Sequence, residues 1–141
     1  AAPLADAPAR AAPDDQRTTP SAPTPEAVRL VDELLRAAVR ARASDLHLEA
    51  ADDGVRVRHR VDGVMREVTR LPRAVGPAVV SRIKILASLD IADRLRPQDG
   101  RAACAIDGRR VELRVSVLPA ARGENVVLRL QDPDAAHDAL D

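Results

Sequence analysis

Aromatic side chains are absent from this sequence. Its 141 residues contain no Phe, Tyr or Trp, although hydrophobic residues make up 45% of the chain. The core must therefore be aliphatic. Proteins that bind single-stranded nucleic acids usually stack the bases on aromatic rings. The composition thus argues against an RNA-recognition or OB-type domain, and we expect no nucleic acid among the partners.

Cysteines and long apolar runs are also scarce. Cys104 is the single cysteine, which rules out an internal disulfide and fits a reducing cytoplasm. No run of about 18 apolar residues occurs, so the sequence predicts no transmembrane helix. The first residues lack the basic and then apolar plan of a signal peptide. Since the sequence does not begin with Met, we interpret it as a fragment or a processed form.

Charge and composition divide the chain into three parts. Residues 1–25 are rich in Ala and Pro and are predicted to be a disordered linker. Residues 26–131 carry 20 Lys and Arg against 15 Asp and Glu, and they have the length of one folded domain. Residues 132–141 form an acidic, Ala-rich tail. The predicted domain is therefore basic between two acidic flanks, which suits an anionic partner.

The order of predicted elements is helix, three strands, helix, three strands. Thr24 followed by Pro25 has the pattern of a helix start, and apolar residues continue at helical spacing to Val39. A second helix is predicted over 72–89, with Arg82 and Lys84 off its apolar stripe. Strands are predicted where apolar and polar residues alternate: 44–49, 55–61, 64–69, 101–106, 109–117 and 125–130.

Two dipeptides fix the pairing of strands that are close in sequence. Asp62-Gly63 and Asp107-Gly108 each match the two-residue turn of a β-hairpin. Residues 90–99 and 118–124 are expected to be longer loops. The fold class that follows is α+β, with an antiparallel sheet of about six strands and helices packed on one face.

Alternation along the strands predicts a face rich in arginine. Residues with even numbers on the 109–117 strand, and Arg129 on the last strand, point away from the apolar side. Arg56, Arg58 and Arg60 add further guanidinium groups. These groups match phosphate oxygens, but Glu112 and several aspartates could equally balance them in a solvated, salt-bridged face. The residues alone leave both interpretations open.

Several blocks along the chain resemble, in order, the motor ATPases of type II secretion and type IV pilus assembly. They are Ala-Ser-Asp-Leu-His-Leu-Glu (43–49), Val-Arg-His-Arg-Val-Asp-Gly-Val-Met-Arg-Glu (57–67), Ser-Arg-Ile-Lys-Ile-Leu-Ala (81–87), Arg-Pro-Gln-Asp-Gly-Arg (96–101), Leu-Arg-Val-Ser (113–116) and Gly-Glu-Asn-Val-Val-Leu-Arg-Leu (123–130). The resemblance covers residues 43–130. It identifies the chain as similar to the regulatory domain that precedes the P-loop domain in that family.

The resemblance implies a PAS-like domain in a hexameric ring, over residues 26–131. It implies that Arg101 and Arg114 contact ATP phosphates and stabilise the transferring phosphoryl group, with Arg129 also at the nucleotide. Domain closure would couple hydrolysis to ring motion in protein secretion or pilus assembly. The implied partners are a P-loop ATPase domain and inner-membrane platform components, and the implied location is cytoplasmic, peripheral to the inner membrane.

The sequence departs from the family pattern at several positions. Ala50 stands where the family generally has Pro, and Leu95 where a basic residue is usual. No Gly-x-x-x-x-Gly-Lys-Ser/Thr motif occurs, so ATP and Mg²⁺ are expected only through a separate P-loop domain. We therefore expect no catalysis by this chain alone. The alternative function is a stand-alone docking module without nucleotide chemistry.

Two histidines and the cysteine have simpler interpretations than catalysis. His47 lies between Asp45 and Glu49 on one strand, but three residues of a single strand rarely complete a metal site. We interpret it as a hydrogen-bonded anchor of the sheet or a domain contact, and predict no metal. His59 and Cys104 are predicted to be core residues.

Overall fold

The first helix begins where the sequence places its cap. In the computed structural model, which describes residues 22–131, helix α1 spans Pro25–Arg40 and the Thr24 hydroxyl accepts a hydrogen bond from the Ala27 amide at 3.0 Å. Residues 1–21 of the predicted linker and the predicted acidic tail at 132–141 lie outside the described residues. Helix α1 buries one apolar stripe, formed by Ala27, Val31, Leu34, Leu35 and Ala38.

The predicted second helix is shorter than expected. A 3₁₀ turn at Arg73–Val75 precedes helix α2, which spans Gly76–Leu86. The helix ends because Ser88 adopts a left-handed φ of 58° and the Leu89 amide donates to the Lys84 carbonyl at 2.7 Å. This is a Schellman termination, which closes a helix by satisfying its last carbonyls.

The six predicted strands are present, and each is longer than the alternation indicated. The bounds are β1 Asp45–Ala51, β2 Gly54–Val61, β3 Val64–Leu71, β4 Gln98–Ile106, β5 Arg109–Ala120 and β6 Gly123–Gln131. They form one antiparallel sheet in the order β3-β2-β1-β6-β5-β4. The predicted α+β class is confirmed. The likeness to PAS domains stays a prediction.

Two of the predicted loops were too long. Strand β4 begins at Gln98, inside the predicted 90–99 loop, because Gln98 pairs with Val117. Strand β5 continues through Pro119, where a loop was expected. Beyond Val117, β5 pairs only with β6, so Pro119 lies where the strand is a sheet edge and its missing N–H breaks no ladder.

Both predicted hairpins are confirmed. Asp62 and Gly63 have φ of 51° and 79°, and Asp107 and Gly108 have φ of 52° and 76°. Positive φ at both central residues defines the type I′ turn, whose twist matches that of the flanking strands. The turn sets the register of β4–β5 along its whole length, whereas β2–β3 keeps the register of its turn only as far as Arg58 opposite Glu67, where a bulge shifts it by one residue.

The sheet has one covered face and one helix-free face. Helices α1 and α2 pack against each other and against the face that carries the aliphatic core, whose fully buried members include Leu46, Leu48, Val57, Val111, Val115, Val117, Val126 and Leu128. His59 is buried in this covered face, as predicted, and burial lowers its pKa. Cys104 packs at the margin of the core, where burial raises the pKa of its thiol. It therefore lacks the thiolate character of a nucleophile.

Candidate functional site: the arginine row

The predicted phosphate-contacting arginines lie side by side on the helix-free face. Arg101 of β4 is directly opposite Arg114 of β5, and Arg114 is directly opposite Arg129 of β6. Opposite residues of antiparallel strands point to the same face with Cβ atoms about 4.5–5.5 Å apart. The three residues therefore form a continuous line of guanidinium groups.

The line continues through the centre of the sheet. Arg129 is opposite Asp45 of β1, which is in turn opposite Arg60 of β2. We call these five residues (Arg101, Arg114, Arg129, Asp45 and Arg60) the arginine row. Asp45 is its only carboxylate. Four positive charges in one row with a single carboxylate make this the natural place on the helix-free face for an anion.

The two ends of the arginine row differ in their ion pairing. The Arg129 Nε donates to Asp45 Oδ1 at 3.1 Å, and the Arg60 Nε lies 3.7 Å from Asp45 Oδ2. Within residues 22–131, Arg101 and Arg114 form no ion pair. Their side chains line a shallow groove of about 360 Å³ together with Ala102, Ala103, Arg110, Glu112, Leu113 and Gln131. This groove is the part of the row that is open to a ligand.

Most other arginines of this face already have a carboxylate partner. Arg58 is 2.6 Å from Glu49, and Arg56 is 3.3 Å from Glu67. These pairs correspond to the salt-bridged alternative that the sequence left open. The β1–β3 half of the helix-free face is therefore balanced in charge, and the excess of positive charge lies on β4 and β5.

His47 lies on the helix-free face between two carboxylates that already bind arginines. Asp45 pairs with Arg129 and Arg60, and Glu49 pairs with Arg58. Desolvation lowers the pKa of His47, an effect that outweighs the neighbouring carboxylates. Neutral imidazole is therefore the form expected at neutral pH, and the flanking carboxylates are engaged elsewhere. The predicted role as an anchor or contact stays a prediction.

The prediction that Lys84 lies off the buried stripe of α2 was wrong. Its side chain is 1% exposed, and its Nζ lies 2.7 Å from Glu124 Oε2 and donates to the Asp93 carbonyl at 2.9 Å. Sequence reasoning missed this group because Glu124 belongs to β6, far away in the chain. The ammonium ties the β5–β6 turn to the segment that leads into β4.

The segment from Asp90 to Gln98, which leads into β4, is held by hydrogen bonds between side chains and backbone. Gln98 donates to the carbonyls of Asp90 and Asp93 at 2.9 and 3.0 Å, and accepts from the Asp90 amide at 2.9 Å. Asp93 accepts from the Leu95 amide at 3.0 Å. These bonds fix the entry into β4, and Arg101 follows Gln98 on that strand. The block that contains Pro-Gln-Asp-Gly-Arg thus places the outermost arginine of the row.

The six-stranded antiparallel sheet with two helices on one face is a fold that occurs in a known solved structure. The chain has the fold found in part of a solved structure described as the pilus retraction motor PilT with bound ADP, with a TM-score of 0.50 and 20% identity. The match covers 70% of this chain and 28% of that one. At this identity the likeness shows the fold alone.

The sequence comparisons are more specific. Residues 22–141 match the family model described as type II/IV secretion system protein, and the chain belongs to that family. It is 47% identical over 110 residues to type II secretion system protein E of Klebsiella pneumoniae, a match covering 78% of this chain and 22% of that protein. It is 51% identical over 108 residues to the protein of that name from Pseudomonas aeruginosa, covering 77% and 22% respectively. The chain therefore spans about a fifth of the length of these relatives.

The predicted family is thus confirmed, and the predicted roles of individual arginines stay predictions. In residues 22–131 no helix is long and apolar enough to span a membrane.

Proposed function

We propose that this chain is the regulatory and assembly domain of a secretion or pilus motor ATPase, and that it supplies Arg101 and Arg114 to ATP phosphates held by a P-loop domain. The observation that carries the proposal is the pair of facing arginines on β4 and β5, which have no carboxylate partner within residues 22–131 and line one groove. Two forked guanidinium groups pointing into one groove match the oxygens of a phosphoryl group.

The proposed chemistry is electrostatic stabilisation. Charge that develops on the transferring phosphoryl group is stabilised by donors that are already in position. The sheet supplies that preorganisation, because both arginines stand on paired strands and the hydrogen bonds of Gln98 fix the entry into β4. ATP and Mg²⁺ would be held by the P-loop domain, since this sequence has no P-loop motif. The chain contributes to hydrolysis only in that complex.

The proposed setting follows from the family. The chain would act in a hexameric ring at the cytoplasmic side of the inner membrane, next to membrane-anchored platform components, and its closure onto the P-loop domain would couple hydrolysis to ring motion. The names of the relatives, type II secretion system protein E, support a role in protein secretion. In this proposal, the contact between the arginine row and the ATP phosphates links hydrolysis in the P-loop domain to the position of the domain described here.

The decisive experiment measures phosphate release by a matching P-loop domain, expressed separately, with and without this chain. We expect stimulation by the wild-type chain. Since an arginine finger is worth about 10³–10⁵ in kcat, Arg101→Ala and Arg114→Ala should each abolish nearly all of it. Arg29→Ala is the matched control, because Arg29 is exposed on α1, on the other side of the sheet.

Binding must be measured in the same samples. A chain that binds the P-loop domain without stimulating it, or whose Arg101→Ala variant stimulates as well as wild type, is a docking module and not an arginine donor. That outcome would replace the proposed function with the alternative that the sequence leaves open.

A further inference from the structure

Asp45 is unusual among the carboxylates of the helix-free face because it is buried. Its side chain is 6% exposed, whereas those of Glu49 and Glu67 are 32% and 44% exposed. Arg129 and Arg60 flank it from the neighbouring strands. An ion pair with a buried carboxylate is screened less by solvent and salt than a fully exposed pair. Asp45 is therefore screened less from its arginines than Glu49 and Glu67 are from theirs.

Both oxygens of Asp45 are occupied. Oδ1 accepts from Arg129 at 3.1 Å, and Oδ2 accepts from the Ser44 hydroxyl at 2.8 Å and lies 3.7 Å from Arg60. The Arg129 Nε is therefore turned towards β1, away from Arg114 on its other side. The Arg129 guanidinium keeps its charge and its side chain is 65% exposed, but Asp45 balances that charge locally and holds Nε, so Arg129 is less free to turn towards a ligand than an arginine without a partner.

The arginines at the other end of the arginine row are not held by a carboxylate of the described residues. Arg101 and Arg114 face each other with no intervening carboxylate in the described part of the chain, and Arg110 of the same groove is only loosely paired with Glu112 at 3.6 Å. Two like charges about 4 Å apart repel by about 1 kcal/mol even in water. An anion between them converts that repulsion into attraction.

We infer that Asp45 divides the arginine row into two halves: it holds Arg129 and Arg60 as structural arginines and leaves Arg101 and Arg114 as the pair that takes a phosphate. The inference rests on the proposed function for the premise that the ligand is a phosphate, and it deepens that function by stating which arginines are available. It makes Asp45 a positioning residue. It also removes Arg129, which the family resemblance places at the nucleotide, from direct contact with phosphate.

The test titrates inorganic tripolyphosphate into the ¹⁵N-labelled chain at low ionic strength and follows the arginine Nε resonances. We expect the Arg101 and Arg114 resonances to move while that of Arg129 stays. Arg114→Gln should weaken binding at least about five-fold, and Arg129→Gln should change it by less than about two-fold. Two neutralising substitutions of adjacent arginines would thus have different effects.

A second and more specific measurement removes the Asp45 carboxylate that divides the arginine row. In Asp45→Asn, Arg129 is released, so tripolyphosphate should bind about three-fold or more tightly and Arg129→Gln should now weaken binding. This double-mutant cycle isolates the coupling between Asp45 and Arg129. Spectra of the free variants show whether Asp45→Asn keeps the fold; if it does not, the comparison of Arg129→Gln with Arg114→Gln in the otherwise wild-type chain decides alone.

Two results would overturn the inference: no binding of tripolyphosphate at the Arg101 and Arg114 resonances, or equal weakening by Arg129→Gln and Arg114→Gln. Failure of the proposed function gives a different pattern, because it concerns stimulation of the P-loop domain. Suppose that the chain binds tripolyphosphate through Arg101 and Arg114 only and yet does not stimulate hydrolysis. The division of the arginine row by Asp45 would then stand, and the proposed role in a motor ATPase would be wrong.

Discussion

The two faces of the sheet differ in how their charged side chains are buried and paired. On the covered face, Lys84 is 1% exposed and is matched by Glu124, 2.7 Å away. On the helix-free face, arginines outnumber carboxylates in the arginine row, and the side chains of Arg60 and Arg129 are 41% and 65% exposed even though they flank the buried Asp45. The difference follows from solvation. A buried charge must be paired to be tolerated, whereas an exposed one is hydrated and stays available to a ligand.

The largest effect is expected from breaking the buried Lys84–Glu124 ion pair of the covered face. Lys84→Met removes the ammonium and leaves Glu124 as an uncompensated, 7%-exposed carboxylate. Such a change typically costs about 3–5 kcal/mol. We expect the free energy of unfolding, measured by urea denaturation, to fall by that amount.

The control for this variant is the double substitution Lys84→Met with Glu124→Leu. Replacing both members of a buried pair by apolar residues is often neutral or stabilising. The double variant should therefore recover most of the lost stability. If Lys84→Met alone is as stable as wild type, the covered face does not depend on the ion pair.

Packing on the covered face is tested at Gly100 of β4. A Cβ at this position would lie 2.8 Å from the Ala87 carbonyl oxygen and 2.9 Å from Leu89 Cδ2. Backbone cannot move away as easily as the end of a side chain, so Gly100→Ala should cost about 1–3 kcal/mol of unfolding free energy. Ala103→Ser, on the helix-free side of the same strand, is the matched control. It should stay within about 0.5 kcal/mol of wild type, and equal effects of the two variants would contradict the assigned faces.

The buried histidine gives the covered face a dependence on pH. Burial lowers the pKa of His59, so between its folded and unfolded pKa values the unfolded chain binds more protons. Stability is therefore present above the unfolded pKa, near 6.5, and falls as the pH drops from 7 towards 5. The slope for one proton is at most about 1.4 kcal/mol per pH unit.

Denaturation at several pH values measures this slope. His47 also has a lowered pKa and contributes in the same direction. His59→Gln should flatten the curve, and His47→Gln tests how much of the slope comes from the helix-free face. A curve unchanged by His59→Gln would show that burial of this imidazole does not control the response.

The smallest effect is expected on the helix-free face. The Arg110–Glu112 pair is 3.6 Å apart with side chains 74% and 48% exposed, and exposed pairs contribute little to stability. Arg110→Ala should leave the melting temperature within about 2 °C of wild type. A larger loss would mean that this face is also held together by its charges.

Much of the fold could be predicted from local sequence. Thr24 caps α1 because its hydroxyl reaches the Ala27 amide one turn later, a relation contained in four consecutive residues. The turns at Asp62-Gly63 and Asp107-Gly108 fixed two hairpins for the same reason. Alternation also separated Val115 and Val117 from Arg114 correctly, because a strand has a period of two.

One error concerned a local conformation that the residue type does not signal, and two arose where the outcome depends on distant residues. The second helix was predicted to reach residue 89, but a left-handed Ser88 ends it earlier, and Ser rarely signals this conformation. Pro119 was interpreted as a loop residue because the sequence does not show that β5 is an edge at that point. Lys84 was placed off the buried stripe because its partner Glu124 is on another element.

For the candidate site, the family resemblance nominated Arg101, Arg114 and Arg129 and put Arg101 and Arg114 first, but the residues themselves gave no physical reason for that order. By itself the sequence determined the helix caps, the hairpin turns, the alternating faces and the basic character of the domain, because these depend on neighbours or on composition. Only the tertiary structure set β1 beside β6 and thereby placed the Asp45 carboxylate against Arg129, 84 positions away in the chain. The pairing of distant strands follows from burying the aliphatic face of the whole sheet under two helices, and no local pattern contains that information.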